Sequence, residues 1–363
     1  MSESARKIAL IRELASRHSL EAVLLRQVSN FAWATCGASA YVNIASNEGV
    51  ASLLITADHQ YLLTDNIEAI RLDKEEKLAS QGWDFRVSPW FEKERLTAEF
   101  VRCLKTGADG SFPGALNLTD EIVHLRANLT PEEGERFRTL GLLCAQAIES
   151  AAQAVRPGQS EYDIAALLAS ETERRGVQPT VNLIATDDRI YNFRHPLPTN
   201  KKLEHYAMLI LCGRKHGLVC SASRLVYFGR LPDELRCKAE AVAQIDAALI
   251  AATRPGRTVG EAFQRGIKAY ASHGYPDEWR LHHQGGPAGY EPREYLATPD
   301  SSERVASGQV YAWNPSITGV KSEDTILIGK KGNEVLTHTP GWPTITVEVD
   351  SCTIDRPAIL EIT

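Results

Sequence analysis

Arg156-Pro157-Gly158-Gln159-Ser160 and Arg254-Pro255-Gly256-Arg257-Thr258 stand 98 residues apart, and the echo extends beyond the two Arg-Pro-Gly triplets. Ala145-Gln146 leads into the first and Ala243-Gln244 into the second, and Gly176 and Gly274 follow at the same offset. In each copy a long Ala-rich helix stops at the proline. A second helix starts after Ser160 or Thr258 and ends at a glycine ahead of a β segment. Proline cannot continue a helix and glycine caps its end, so the shared punctuation has a steric cause. Two such helix-pair-plus-strand units are expected to bury their helices against a common curved sheet.

Upstream, Leu129-Thr130-Pro131-Glu132-Glu133 sets a capping threonine, a proline at the first helical position and a glutamate three residues after the cap. The domain boundary is therefore placed near Asn128, dividing the chain into 1–128 and 129–363. The first part alternates helix and strand signals. Ile8, Ile11, Leu14 and Ala15 recur at helical spacing, and Ala22–Leu25 reads as a strand. Ala51–Thr56 and Tyr61–Thr64 flank a hairpin turn at Ala57-Asp58-His59-Gln60. A helix over 67–80, a strand over 83–87 and a helix over 92–105 complete a small α/β domain. Downstream, Ala207–Gly213 and Leu218–Phe228 are strand-like runs around Arg214-Lys215-His216-Gly217, and a meander of strands starts at Gln309. The whole reads as α+β.

Composition narrows the function classes. The 363 residues carry 40 basic and 46 acidic side chains, a net charge of -6, which lacks the basic excess of a broad nucleic-acid footprint. No run approaches the roughly 18 apolar residues of a membrane span, and the charged N-terminal helix lacks the unbroken apolar core of a signal peptide. Seven cysteines, with no CxxC pair, suggest neither a disulfide framework nor a thiolate zinc site. A cytoplasmic protein with no nucleic-acid or membrane partner is the expectation.

Four polar segments could carry chemistry: Arg194-His195-Pro196, His282-His283-Gln284-Gly285-Gly286, Trp313-Asn314-Pro315-Ser316 and Ser322-Glu323-Asp324-Thr325. Pro196 holds His195 in extended backbone, which suits a positioned acid or base. His282 and His283, read as strand neighbours, should point to opposite faces, leaving one of them for a pocket. The same period places Ser322 and Asp324 on one face and Glu323 on the other. Cys212 and Cys220 are expected to be buried packing residues, with an activated thiolate as the alternative. No Asp or Glu stands between Ala207 and Phe228, so the donors of a dinuclear hydrolytic centre are missing there.

The order of these parts resembles the creatinase/Xaa-Pro aminopeptidase family, whose pita-bread fold the resemblance implies for the second domain. In the peptidase branch the strand pair carries two aspartate metal ligands. Anchoring on Gly217 and Arg224 puts Ile210 and Ser221 at those positions. By the same resemblance His283 and Glu323 match surviving ligands, Asn314 replaces a glutamate, and Tyr290 falls near the family's second histidine. The pattern is similar to creatinase and ectoine hydrolase, which need no metal and no other cofactor. It implies a homodimeric hydrolase of a carbon–nitrogen bond in a small polar amidine, guanidine or amide. His195 would be the proton shuttle and His283 and Glu323 its catalytic companions. Asn314, Arg293, Tyr290, His282 and, from the N-terminal domain, Tyr41 and Asn43 would bind substrate. Creatine itself is not expected, because Ser223 stands where creatinase has a glutamate. A carboxylate at Glu323 suits a cationic substrate. The alternatives are a metal-dependent Xaa-Pro dipeptidase and a non-catalytic binding protein of the same fold.

Overall fold

The computed structural model describes residues 1–350 and 352–363. It contains two compact units, Met1–Ala127 with His216–Leu218, and Asn128–Lys215 with Val219–Thr363.

In the first unit, α1 (Glu3–Arg17) buries Ile8, Ile11, Leu14 and Ala15, the stripe its spacing dictates. The strands are β1 (Ala22–Gln27), β2 (Glu48–Thr56), β3 (Gln60–Asp65), β4 (Asp84–Ser88), β5 (Thr106–Ala108) and β6 (Leu116–Asn117), in sheet order β4-β3-β2-β1-β5-β6. The helix expected over 67–80 is shorter than its pattern. It runs only from Ala69 to Lys74, followed by a 3-10 turn at Ala79–Gln81, because Lys77 takes φ +56° and breaks the ladder.

The second unit repeats itself in backbone geometry. Its four long helices are α2 (Pro131–Ala154), α3 (Glu161–Glu173), α4 (Asp233–Ala252) and α5 (Val259–Ser272). Ser160 opens α3 and Thr258 opens α5 through two-way capping boxes with Asp163 and Glu261. In the turns before them Gly158 has φ +87° and Gly256 φ +89°, a region open to glycine. Gly158 N donates to Leu203 O at 2.8 Å and Gly256 N to Val305 O at 2.9 Å, while Ser160 bridges Lys202 and Thr258 bridges Arg304. The two copies thus share a fastening to a later stretch of chain as well as a sequence echo.

Eight of the strands form two four-stranded sheets joined at a seam, and two short ribbons pair Ser316–Ile317 with Val320–Lys321 and Thr344–Val349 with Cys352–Pro357. One sheet combines β7 (Gln178–Thr186), β8 (Tyr206–Lys215), β9 (Leu218–Phe228) and β14 (Leu360–Ile362). The other combines β10 (Gly285–Ala288), β11 (Val310–Trp313), β12 (Asp324–Ile328) and β13 (Asn333–Val335). They meet along β9 through Val219 N to Gly289 O at 2.8 Å and Ser223 N to Glu323 O at 3.1 Å. Between these bonds the Thr325 hydroxyl accepts from Ser221 N and donates to Ser221 O, both at 2.9 Å. A side chain therefore stands where a continuous ladder would place a peptide group.

Beneath this seam lies a buried charge network. Arg356, fully buried, donates to Asp246 Oδ2 at 2.8 Å and Asp324 Oδ2 at 2.5 Å, and Arg224 donates to Asp324 Oδ1 at 3.0 Å. Ser322 Oγ also donates to Asp246, so Ser322 and Asp324 share one side, as the alternation predicts. Removing one partner of a buried ion pair strands the others. Arg356→Met is therefore expected to lower stability by about 3–5 kcal/mol. Urea denaturation measures this, and a loss under about 1 kcal/mol would contradict the network's structural role.

Candidate active site

The site starts from a loop pinned by its own neighbours. Arg194 donates to Glu278 at 2.9 Å and to the Thr318 hydroxyl at 3.1 Å. Glu278 opens the 3-10 turn Glu278–Leu281, which delivers His282 as its C-terminal cap. One ion pair thus fastens the residue before His195 to the turn before His282, and the two imidazoles meet Nε2 to Nε2 at 3.1 Å. Gln284 steadies the same segment, donating to Trp279 O and His282 O and accepting from the Tyr270 hydroxyl of α5. Gly285 is sterically required here: its φ is +102°, and a Cβ would lie 2.1 Å from Ala312 O across the β10–β11 pair.

Both adjacent histidines face the same place, against the expectation of opposite faces. Their ring centroids lie 4.4 Å apart, and His283 is 5.6 Å from His195. The reason is local: β10 begins only at Gly285, so His282 and His283 precede the pleat that would have separated them. Burial lowers the pKa of all three, and the Lys321 charge adds to the shift. His282 is pushed down to about 2 and His283 to about 4, while His195 is lowered less. All three shifts favour the neutral ring at pH 7.

Glu323 occupies the other half of the site, with a side chain only 3% exposed. Arg293 Nη2 donates to its Oε1 at 2.9 Å, and Lys321 Nζ and Ser223 Oγ reach its Oε2 at 2.9 Å and 2.5 Å. Burial alone would raise its pKa, but Lys321, Arg293 and Ser223 outweigh that and hold it at about 2. Arg293 also donates to the Ser221 hydroxyl at 3.0 Å. Lys321 and Ser223 were not foreseen as partners of Glu323. The signal was present for Lys321, which stands two residues before Glu323, the spacing that returns a strand side chain to the same face.

The remaining expected site residues divide. Asn314 is buried, its backbone N donating to Gln284 O at 3.0 Å and its Oδ1 lacking a protein partner. The Tyr290 hydroxyl is hydrogen-bonded to Glu133 at 2.5 Å, a packing role that differs from the expected substrate contact. Tyr41 and Asn43 belong to the first unit, where Asn43 Oδ1 accepts from Ala45 N at 3.0 Å. Cys212 and Cys220 are buried, and Cys212 contacts the Ser221 hydroxyl at 3.3 Å. Burial, with Glu323 nearby, pushes the Cys212 thiol up to about 11, so it is not an activated thiolate.

A family model described as metallopeptidase family M24 matches residues 135–330. The chain belongs to that family. It is 27% identical over 263 residues to an Xaa-Pro dipeptidase of Lactobacillus helveticus, covering 68% of this chain and 70% of the relative. The prolidase of Pyrococcus horikoshii OT3 superposes with a TM-score of 0.79 at 20% identity, covering 92% of this chain and 98% of that one. The N-terminal domain of the FACT complex subunit SPT16 from chickpea superposes at 0.70 with 12% identity, covering 92% and 95%. The pita-bread fold implied by the sequence is the fold of these structures.

The two-metal centre implied by the peptidase branch does not fit the residues present. Ile210, at one expected aspartate position, lies 3% exposed in an apolar cluster, and Ser221, at the other, accepts from Arg293. Both oxygens of Glu323 already face side-chain cations. Among the described residues His195, His282 and His283 do converge, each offering a donor atom within 4.8 Å of the others. Lys321 and Arg293 stand close enough to oppose a further cation there.

Two pH outcomes follow. In NMR titrations the His282 and His283 rings should show no protonation between pH 8 and 5; a midpoint above 6 for either would contradict the neutral cluster. Glu323 has a folded pKa of about 2 against about 4.5 in the unfolded chain. Its contribution to stability is therefore complete above pH 4.5 and lost as pH falls toward 2. Lys321→Met should raise the folded pKa and narrow that window, as urea midpoints across pH 2–5 would show.

Proposed function

We propose that this chain is a hydrolase that cleaves a carbon–nitrogen bond in a small polar molecule without a dinuclear metal centre. The observation that carries the proposal is the pair of imidazoles, His195 and His282, meeting Nε2 to Nε2 at 3.1 Å. A neutral ring can accept a proton from water and return it, and the second ring sets the tautomer of the first. His195 would remove a proton from water as the water oxygen bonds to the substrate carbon. The carbon–nitrogen electron pair then leaves with nitrogen, which takes the same proton from His195. General acid–base help of this kind is worth roughly 10² to 10⁴ in rate. Lys321 and Arg293 would stabilise the oxygen charge that builds as the carbon becomes tetrahedral. The homodimer and the cytoplasmic location expected from the sequence belong to the same proposal.

A second reading is favoured by the relatives' names: a metal-dependent Xaa-Pro dipeptidase. The substituted ligands oppose it, because two divalent cations need several carboxylates to neutralise them. One comparison separates the two. Wild type, a chelator-treated sample and His195→Ala are assayed on amides, amidines, guanidines and Xaa-Pro dipeptides, with metal content measured in parallel. The expected result is a chelator-resistant activity that His195→Ala lowers at least 100-fold. About two metals per chain, with Xaa-Pro cleavage lost in chelator and restored by Mn²⁺, would establish the dipeptidase instead.

A further inference from the structure

The buried charge network beneath the seam has an odd number of members. We propose that it is completed by a proton on Glu149, which makes this part of the fold a proton-binding site, filled at pH 7.

Connectivity gives the first argument. Five side chains form a line of alternating sign: Glu149 of α2, Arg224 of β9, Asp324 of β12, Arg356 of the strand Cys352–Pro357, and Asp246 of α4. Arg224 Nε lies 3.6 Å from Glu149 Oε1 and its Nη1 3.0 Å from Asp324 Oδ1. Arg356 Nη2 lies 2.5 Å from Asp324 Oδ2 and 2.8 Å from Asp246 Oδ2. None of the five is more than 9% exposed. Two cations against three carboxylates leave one negative charge that solvent screens poorly. A buried charge in excess is relieved by taking up a proton.

Hydrogen bonding locates that proton. Asp324 lies between two cations, whereas each end of the line meets one. Asp246 is the better held end, receiving Arg356 Nε at 2.8 Å and Ser322 Oγ at 2.5 Å. Glu149 receives no guanidinium hydrogen bond. Arg224 directs its terminal nitrogens at Ser223 O, Asp324 Oδ1 and Thr337 O, which leaves its Nε and Glu149 Oε1 buried without hydrogen-bond partners. Thr339 Oγ1 meets Glu149 Oε2, and a hydroxyl can either donate to a carboxylate or accept from a carboxyl. Burial raises the Glu149 pKa, against the Thr339 hydrogen bond and the Arg224 charge, and the Asp324 charge adds to the rise. Burial raises Asp246 too, so that end is the competing position.

The proton bears on the candidate active site through the backbone. Arg224 follows Ser223, whose hydroxyl donates to Glu323 Oε2, and Asp324 follows Glu323. An ionised Glu149 competes with Asp324 for Arg224 and so pulls on both segments that carry the clamp. With its folded pKa above the unfolded 4.5, the folded chain holds the extra proton, and stability falls as pH rises from 4.5 through the folded value. Glu323 acts with the opposite sign and at lower pH.

Infrared spectra of the full chain at pH 7 test the assignment, because a protonated carboxyl has a carbonyl band distinct from that of a carboxylate. The wild-type minus Glu149→Gln difference should contain that band, and Asp246→Asn should retain it. Urea midpoints between pH 5 and 8 should fall in wild type, and Glu149→Gln should remove at least half of the fall while matching or exceeding wild type at pH 8. The proposal is overturned if Glu149→Gln keeps the band, if Asp246→Asn alone loses it, or if Glu149→Gln leaves the pH slope unchanged. It is equally overturned if Glu149→Gln fails to fold or is less stable than wild type throughout, since glutamine has nearly the shape of a protonated glutamate and an ionised Glu149 would then be the required form.

Discussion

The clamp of Arg293, Lys321 and Ser223 on Glu323 is the constraint around which the site is arranged. A carboxylate this deeply buried is tolerated in its charged form only when opposite charges and donors surround it. The partners come from three parts of the chain: Ser223 from β9, Arg293 from the loop after β10, and Lys321 from the short strand Val320–Lys321. Strand alternation lets one segment serve two purposes. Lys321 and Glu323 pair with each other on one side, while Ser322 and Asp324 turn toward Asp246 and Arg356 on the other. The buried network on the second side holds the backbone that presents the clamp on the first.

The histidines are positioned by a different device. Their backbone is irregular, so no sheet register fixes them. The Arg194–Glu278 pair and the hydrogen bonds of Gln284 do so instead. Keeping imidazoles neutral at pH 7 is a consequence of putting them beside cations and away from water. A neutral imidazole retains a lone pair for proton transfer, which a protonated ring has lost.

Much of the fold was legible in the sequence because its signals are local and steric. The Arg-Pro-Gly turns, the Thr130–Glu133 capping box and the spacing of Ile8, Ile11 and Leu14 each act within a few residues, and the structure bears each of them out. The alternation at Ser322-Glu323-Asp324 was likewise readable. Two features escaped because they depend on contacts distant in sequence. His282 and His283 share a face since the strand starts two residues later than the pattern suggests, a boundary set by the pairing of Gly285 with Trp313. The clamp on Glu323 needed Arg293 and Ser223 to arrive from elsewhere, and composition cannot show that a carboxylate is already neutralised.

Cations carried on side chains differ from bound ions in one further respect. A metal exchanges with its surroundings, and its occupancy follows supply, competition and acidity. Lys321 and Arg293 are covalently part of the chain, so the positive charge facing Glu323 is present at full stoichiometry from the moment of folding. The charge balance of this site is thus heritable in the sequence itself, altered by a codon change and indifferent to the ion content of its surroundings.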